Sequence, residues 1–358
     1  MRGLGFGDSP LWRESAKKPL SAPLEVHLNL SERCSGGCRH CYVGASPQGP
    51  MLDPAHASRI LDELARMRVF HVALGGGEPL EYPALLGLGR HARARGLIPN
   101  LTTSGLGLTD GLARRLMSVF GQINVSLDGV GPAYAALRGW DGYEQALSAL
   151  QRLRAHGRRV GINLVVSRST FTSIEPVVRL AARLGLNEVE LLRLKPGGRA
   201  DSRFEAERVT AEKMEQVLPL ALRLALRHRI AVRLDCSFLP AICATRPSRR
   251  LLRFFMVRGC EGGNLLASVD ARGQAGACSF APWTEGPAEE LSVLWNREQA
   301  FRGFRDLESR LPEPCASCEY LALCRGGCRA VAHHLTGERY APDPDCPRVA
   351  ALPERAAG

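Results

Sequence analysis

Long apolar runs are missing from this 358-residue sequence, and no stretch approaches the ~18 consecutive apolar residues that a membrane span requires. Residues Met1 to Leu20 also lack the basic segment and the apolar segment of a secretory signal. We therefore expect a cytoplasmic protein that has no membrane partner. Because the cytoplasm keeps thiols reduced, the twelve cysteines indicate metal binding or catalysis rather than disulfides.

Lysine is also scarce, since it occupies only positions 17, 18, 195 and 213. The net charge of +11 therefore comes from arginine, and the arginines are scattered through helical segments instead of being interleaved with aromatic residues. Nucleic-acid-binding surfaces concentrate their basic residues on one face. We therefore expect no nucleic-acid partner.

A long cysteine-free stretch separates Cys41 from Cys236 and divides the sequence into two parts. Three cysteines lie between Cys34 and Cys41, and nine lie between Cys236 and Cys346. After Asp235 the periodicity weakens, while Cys, Gly and Pro accumulate. The pattern predicts an N-terminal tail at 1–22, a first domain at 23–235, a second domain at 236–347 and a C-terminal tail at 348–358.

The first domain alternates strand-like and helix-like segments, which favours parallel β/α units. Six such units are too few for an eight-unit barrel, which usually takes ~250 residues. We therefore predict an α/β fold, a partial (β/α)6 TIM-like barrel, followed by a small cysteine-rich α+β domain. The predicted strands cover residues 24–30, 71–74, 99–102, 123–127, 160–165 and 188–194.

Single residues predict several helix ends. Asp53 followed by Pro54 predicts the start of a helix. Thr172 and Glu175 predict a capping box. Pro219 lies inside the helical segment 210–228, where it predicts a kink or an early stop.

The first cysteine group reads Cys34-Ser-Gly-Gly-Cys38-Arg-His-Cys41 and directly follows the first predicted strand. Three thiols are one too few for a closed tetrahedral zinc site or a fully ligated cubane cluster. An open metal position indicates chemistry rather than a structural role. The spacing alone also allows a zinc site that His40 or a remote residue completes.

At these residues the sequence resembles the radical S-adenosylmethionine (SAM) superfamily, whose motif is Cys-x3-Cys-x2-Cys, usually with an aromatic-type residue before the last cysteine; His40 at that position is a common variant. The resemblance implies a [4Fe–4S] cluster at Cys34, Cys38 and Cys41 whose open iron binds SAM. It also implies that an electron from the cluster cleaves SAM to methionine and a 5′-deoxyadenosyl radical.

A second motif, Gly75-Gly76-Gly77-Glu78-Pro79, follows the second predicted strand. Glycines let a backbone approach a ligand closely, and the proline fixes the turn. The resemblance implies that Gly76, Gly77 and Glu78 contact the amino group of SAM.

Further candidate SAM contacts lie at the ends of other strands. The resemblance suggests Ser126, which ends the fourth strand, and Asn163, which lies inside the fifth. A satisfied polar residue of the barrel is the other interpretation of Asn163. Thr102, Thr103 and Ser104 at the end of the third strand are further candidates.

Seven cysteines between Cys260 and Cys346 resemble the SPASM domain, an extension of radical SAM enzymes that binds auxiliary iron–sulfur clusters. A zinc ribbon is the alternative, since Cys-x2-Cys spacing also builds zinc sites. The resemblance assigns one cluster to Cys315, Cys318, Cys324 and Cys346 and another to Cys260, Cys278 and Cys328.

Seven thiols cannot saturate two four-iron clusters, so either one iron is open or another residue ligates it. Cys243 is the first candidate for that residue and Cys236 is the second. The opposing interpretation is that a lone cysteine is often simply buried.

Both cysteine groups together predict an enzyme that abstracts a hydrogen atom from a peptide or protein and forms a cross-link or another oxidised product. The resemblance implies maturation of ribosomally made peptides. We expect a reductant such as flavodoxin or ferredoxin as a partner. Because few residues precede the first strand, we also expect a separate peptide-recognition protein.

Other functions share part of this pattern. A cofactor-pathway enzyme could act on a tetrapyrrole or a quinone-precursor peptide, and a non-catalytic zinc-binding or electron-transfer module is the alternative from another class. A sulfatase-maturing enzyme is disfavoured, because that group usually has an eighth cysteine where this chain has Phe254 and Phe255. The sequence identifies no general acid or base: Asp235 and Asp270 are candidates, but solvated surface roles are favoured for both.

Overall fold

The computed structural model describes residues 20–254 and 257–351. Much of both predicted tails, and Phe255, lie outside the described residues. Ten strands form one sheet in the order β10-β9-β8-β1-β2-β3-β4-β5-β6-β7. The strands are β1 Glu25–Ser31, β2 His71–Gly76, β3 Ile98–Thr103, β4 Ile123–Ser126, β5 Val160–Val166, β6 Glu188–Arg193, β7 Ala231–Leu234, β8 Leu266–Val269, β9 Gln274–Gly276 and β10 Thr284–Pro287.

The helices of the first half flank this sheet, and those of the second half are mostly short. The first eight are α1 Pro54–Arg66, α2 Leu85–Ala94, α3 Asp110–Val119, α4 Pro132–Arg138, α5 Tyr143–His156, α6 Ile174–Arg183, α7 Phe204–Glu207 and α8 Ala211–His228. The others are α9 Leu239–Ala244, α10 Arg249–Phe254, α11 Leu291–Asn296, α12 Leu307–Arg310, α13 Leu321–Cys324, α14 Arg329–Thr336 and α15 Pro347–Ala350. No helix of the described residues is long and apolar enough to cross a membrane.

The predicted partial barrel is confirmed, because all six predicted strands are present and β1 to β6 pair in parallel in chain order. A seventh parallel strand, β7, was not predicted. Its sequence Ala-Val-Arg-Leu has no buried residue. A strand without a buried apolar face carries little period-two signal.

The two faces of the barrel strands differ in chemistry. Aliphatic residues such as Val26, Leu101 and Ile162 face the helices and are fully or almost fully buried. The opposite, concave face carries polar side chains, among them Asn124 and Asn163, which form a hydrogen bond of 2.7 Å. The fold therefore places a polar surface inside a hydrophobic shell.

The C-terminal half extends the same sheet. Strand β8 pairs in parallel with β1, so that Val26 lies opposite Ala267, and β9 and β10 continue as antiparallel strands. The buried indole of Trp295 also donates to the carbonyl of Leu20 at 2.7 Å. The domain boundary after residue 235 stays a prediction, and the sheet runs across it.

Single-residue predictions of helix ends had mixed outcomes. The Asp53 cap of α1 is confirmed, because its carboxylate accepts from the His56 amide. The early stop at Pro219 is wrong: α8 continues past this exposed residue while its opposite face is buried. The capping box is also wrong, because a 3-10 turn at 171–173 moves the cap to Ser173, whose side chain makes no capping bond.

Candidate functional site

The loop between β1 and α1 carries the first three cysteines and folds back on itself. Short bridges join Ser31 to Met51 and Arg33 to Ser46. The Cys34 amide donates to the Ser46 carbonyl at 3.0 Å. We call residues 32–50 the cysteine loop; hydrogen bonds close it at its base, so that its thiols project from a fixed frame.

The predicted glycine motif braces the cysteine loop. The Gly77 amide donates to the Ser31 carbonyl at 2.6 Å, and the Glu78 amide donates to the Arg33 carbonyl at 2.8 Å. A Cβ atom on Gly77 would lie 1.9 Å from the Arg33 carbonyl oxygen. The glycine is therefore required by the approach of another backbone, and that backbone leads directly into Cys34.

Glu78 lies beneath this contact with 1% of its surface exposed. Its carboxylate accepts from the Thr103 hydroxyl at 2.5 Å and from the Ser104 amide at 2.7 Å, and the Leu80 amide donates to it at 3.0 Å. Burial raises the pKa of Glu78, and these hydrogen bonds oppose the rise. The structure thus brings Thr103 and Ser104 to Glu78, where they hold its carboxylate in place.

A second glycine pair braces the cysteine loop from the far side of the barrel. Gly198 follows β6, and a Cβ atom there would lie 2.2 Å from the Gly44 nitrogen. The neighbouring Arg199 donates from Nε to the Cys38 carbonyl at 2.9 Å, and its amide donates to the Cys41 carbonyl at 2.9 Å. The sequence analysis missed these residues, although Pro-Gly-Gly directly after a strand is a recognisable turn signal.

Donors surround the Cys38 sulfur. The Trp140 indole donates to it at 3.2 Å, and a guanidinium nitrogen of Arg138 lies 3.4 Å away. Arg138 is held in turn by the fully buried Asp128 at 2.8 Å, which His40 also contacts at 3.1 Å. Burial alone would raise the pKa of Asp128, but Arg138 and His40 outweigh it and hold that pKa well below its usual range.

Ser126, at the end of β4, lies opposite Asn163, which is in the middle of β5. The Asn163 carbonyl oxygen accepts from Asn124, and its amide nitrogen lies 3.5 Å from the Thr102 hydroxyl. Next to Asn163 on β6 is Glu190, whose pKa is raised by burial. The sequence analysis missed Glu190, which is a candidate general acid or base on the concave face.

A cavity of about 270 Å³ opens beside His40, near the ends of β5 and β6. Val165 and Leu194 supply apolar walls, while Ser167 and Glu207 supply polar groups. A cavity of this chemistry suits a ligand with one flat apolar part and several polar groups.

Five cysteines line one hollow in the C-terminal half. Cys243 lies there against Cys324. The sequence analysis had assigned Cys324 to the group of Cys315, Cys318 and Cys346, and had offered Cys243 as the ligand missing from the other group. The expectation that Cys243 completes the other group therefore needs correction: α9 packs against α13 and α15, which carries Cys243 away from that group. Whether Cys243 ligates metal stays a prediction. The five are Cys243, Cys315, Cys318, Cys324 and Cys346.

The remaining C-terminal cysteines form a second group. The thiol of Cys278 is near those of Cys260 and Cys328, and burial raises its pKa to about 12. Cys236, the second candidate, is near Cys260 and Cys328. The Lys195 cation lies beside this group.

No group of three or more His, Cys, Asp or Glu side chains in residues 20–254 and 257–351 could hold one metal ion. In an iron–sulfur cluster each thiolate can bind a different iron, so cluster ligands need not converge on one point. The three thiols of the cysteine loop, which carry donors at Cys38, fit such a cluster.

Fold and site together define the class as an enzyme built on a partial β/α barrel that carries three cysteines on one loop at its mouth. The family model described as "Radical SAM superfamily" matches residues 28–181. Residues 28–181 therefore form a radical SAM domain, and the C-terminal half of the chain carries a cysteine pattern that resembles the SPASM extension.

Curated relatives cover nearly the whole chain. "Mycofactocin maturase MftC" of Mycobacterium tuberculosis is 29% identical over 343 residues, which span 93% of this chain and 85% of that protein. "AdoMet-dependent heme synthase" of Methanosarcina barkeri is 28% identical, with 91% and 97% covered. "PqqA peptide cyclase" of Ruegeria pomeroyi is 28% identical, with 94% and 90% covered.

Solved structures share the fold. The crystal structure of Streptococcus suis SuiB bound to precursor peptide SuiA superposes with a TM-score of 0.75 at 18% identity. The match covers 94% of this chain and 78% of that one.

Proposed function

We propose that this radical SAM enzyme modifies a peptide or protein, through hydrogen abstraction that leads to a cross-link or another oxidised product. Two of the relatives support this choice, since one is named a maturase and another a peptide cyclase. SuiB, which shares the fold, was crystallised with a precursor peptide.

One observation carries the proposal. The cysteine loop is fixed from both sides, by Gly77 and Glu78 after β2 and by Gly198 and Arg199 after β6. Such bracing holds Cys34, Cys38 and Cys41 in one arrangement before any metal binds. When bound there, a [4Fe–4S] cluster supplies the electron that cleaves SAM.

The proposed SAM contacts lie around the braced cysteine loop. Gly76, Gly77 and Glu78 lie directly beside the cysteine loop, which supports their proposed role at the amino group of SAM. Ser126 ends β4, and Asn163 lies opposite it on β5, which supports both as candidate contacts. The cavity beside His40 is the proposed site for the adenine ring, because it joins apolar walls to polar edges.

Substrate would bind on the concave face of the barrel. Its polar side chains, together with Glu190, can donate to and accept from a peptide backbone. We further propose a cytoplasmic location and two protein partners. One is a reductant such as flavodoxin or ferredoxin, and the other is a separate peptide-recognition protein.

A second candidate is a cofactor-pathway enzyme that acts on a tetrapyrrole. The relative named AdoMet-dependent heme synthase favours it, since the match covers 91% of this chain, against 93% for the maturase. Assays with peptides encoded beside this gene, and with tetrapyrroles in parallel, would distinguish the two.

The first test is SAM cleavage. Protein reconstituted anaerobically with iron and sulfide and then reduced should release 5′-deoxyadenosine. Cys34→Ala should abolish release, whereas Ser35→Ala, an exposed neighbour that keeps its backbone amide, should retain it. No release from cluster-loaded wild type would refute the proposal.

A further inference from the structure

Cys236 is a cysteine that neither assigned C-terminal cluster uses. It begins the 3-10 turn Cys236–Phe238, which follows β7, and Asp235 caps this turn by accepting from the Ser237 amide at 3.0 Å. Cys236 as a residue is exposed, whereas Cys243 is 4% exposed. Burial nevertheless raises the pKa of the Cys236 thiol, so the sulfur faces protein atoms from a turn that the cap holds in a fixed position.

One side of this turn is tied to Cys328. Arg193 donates to the Ser237 carbonyl at 3.1 Å and to the Asp343 carboxylate at 2.7 Å. Asp343 also accepts from the Cys328 amide at 2.9 Å. One buried guanidinium therefore sets the distance between the turn and Cys328.

The other side is tied to Cys278. Lys195 forms an ion pair with Asp235 and lies 4.7 Å from the centre of the Phe280 ring, two residues after Cys278. The lysine is nearly buried, so it holds the turn and the cysteine segment together.

The segment that carries Cys260 closes the group. A Cβ atom on Gly262 would lie 3.1 Å from the carbonyl oxygen of Ala277, next to Cys278. The Cys236 thiol is near enough to Cys260 and Cys328 to interact with both electrostatically.

We propose that Cys236 is the fourth protein ligand of the auxiliary cluster at Cys260, Cys278 and Cys328. The inference rests on the auxiliary-cluster part of the proposed function. Lys195 would offset part of the negative charge that four thiolates bring to a buried site. Asp235 is unsuited to the role, because Lys195 and Ser237 already engage its two oxygens.

Thiol labelling tests the inference without a mutation. Anaerobically purified protein, with and without its iron, is treated with iodoacetamide under native conditions, and the peptides are mapped by mass spectrometry. Cys236 should be alkylated in the iron-free protein and protected in the loaded protein to the same extent as Cys260. Equal labelling of Cys236 in both forms would overturn the proposal.

A variant gives an independent readout. Cys236→Ala should change the EPR or Mössbauer signal of one auxiliary cluster or remove its iron, while Cys243→Ala should leave that signal unchanged and affect at most the other group. If Cys243→Ala, and not Cys236→Ala, alters the signal of the Cys260, Cys278 and Cys328 cluster, the assignment is wrong.

Metal analysis distinguishes a failure of the Cys236 assignment from a failure of the proposed auxiliary clusters. Wild type with three cubane clusters should hold about twelve irons per chain. About four irons would overturn the auxiliary clusters and this inference together. About twelve irons with Cys236 still open to alkylation would overturn this inference alone.

Discussion

The cysteine loop and the C-terminal cysteine groups are held in place by different forces. The loop lies at the ends of parallel strands, and backbone hydrogen bonds from two glycine turns fix it. The C-terminal groups lie among short helices, where buried ion pairs such as Arg193 with Asp343 join distant segments. Where regular secondary structure is sparse, buried ion pairs hold the cysteine-bearing segments in place.

The most damaging change should be Arg193→Ala. It would leave Asp343 buried without its cation and Asp345 with Arg208 alone, and breaking a buried pair in this way costs roughly 3–5 kcal/mol. Urea unfolding should show a loss at the upper end of that range, and iron analysis should show loss of auxiliary iron.

A matched control is Arg227→Ala, which breaks an exposed pair with Glu175. It should change the free energy of unfolding by at most about 1 kcal/mol. Similar losses in the two variants would contradict the role given to Arg193.

Asp128→Ala should break the ion pair that holds Arg138 beside Cys38. Arg138 would lose its carboxylate partner but keep its contacts with Cys38 and the Tyr134 ring. We therefore expect the free energy of unfolding to fall by about 3 kcal/mol, the lower end of the range for a buried pair. Iron should be lost from the SAM-binding site rather than from the C-terminal groups. Loss of auxiliary iron alone would contradict the claim that this ion pair supports the cysteine loop and not the C-terminal groups.

The stability that Asp128 contributes should depend on pH. Because the pKa of Asp128 is held below its unfolded value, its stabilisation is fully present above about pH 3.9 and is lost as pH falls through the folded pKa. Wild type should therefore lose more stability than Asp128→Asn between pH 4 and pH 2, as followed by circular dichroism. Parallel loss in both would refute this.

Gly77→Ala tests backbone bracing. The added methyl would overlap the Arg33 carbonyl, and we expect a cost of about 1–3 kcal/mol together with weaker iron binding at the cysteine loop. Gly75→Ala is the control, since the nearest atom to its Cβ is 4.0 Å away. Equal iron content in the two variants would show that the contact does not position the loop.

Trp140→Phe should have the smallest effect. It keeps an aromatic ring but removes the N–H donor to Cys38, a bond worth about 0.5–1.5 kcal/mol. Since such donors favour the reduced cluster, the reduction potential of the SAM-binding cluster should fall by tens of millivolts, on the order set by that energy. An EPR-monitored redox titration measures the shift, and an unchanged potential would count against the bond.

The sequence predicted the barrel well because its signals are local. Asp53 caps its helix through the residue three positions on, and alternating apolar residues define strands one at a time. The motif spacing likewise located the cysteine loop and the glycine turn, although the residues that brace them together are Ser31 and Arg33.

Contacts between distant segments were beyond sequence reasoning. Arg199 lies more than 150 positions from the Cys38 carbonyl that it binds, and spacing carries no trace of that pairing. The same limit explains Cys243: the count of thiols suggested it as the ligand missing from the set, whereas the packing of α9 places it with Cys324.

The pairing of β1 with β8 has a consequence for synthesis on the ribosome. Strand β1 emerges first, yet its neighbour at Leu266–Val269 is made some 240 residues later, so one edge of β1 stays unpaired while most of the chain is translated. An unpaired edge is open to other chains. A strand that emerges late, β8, thus closes the edge that was exposed first, and any delay in its synthesis would favour aggregation of the nascent enzyme.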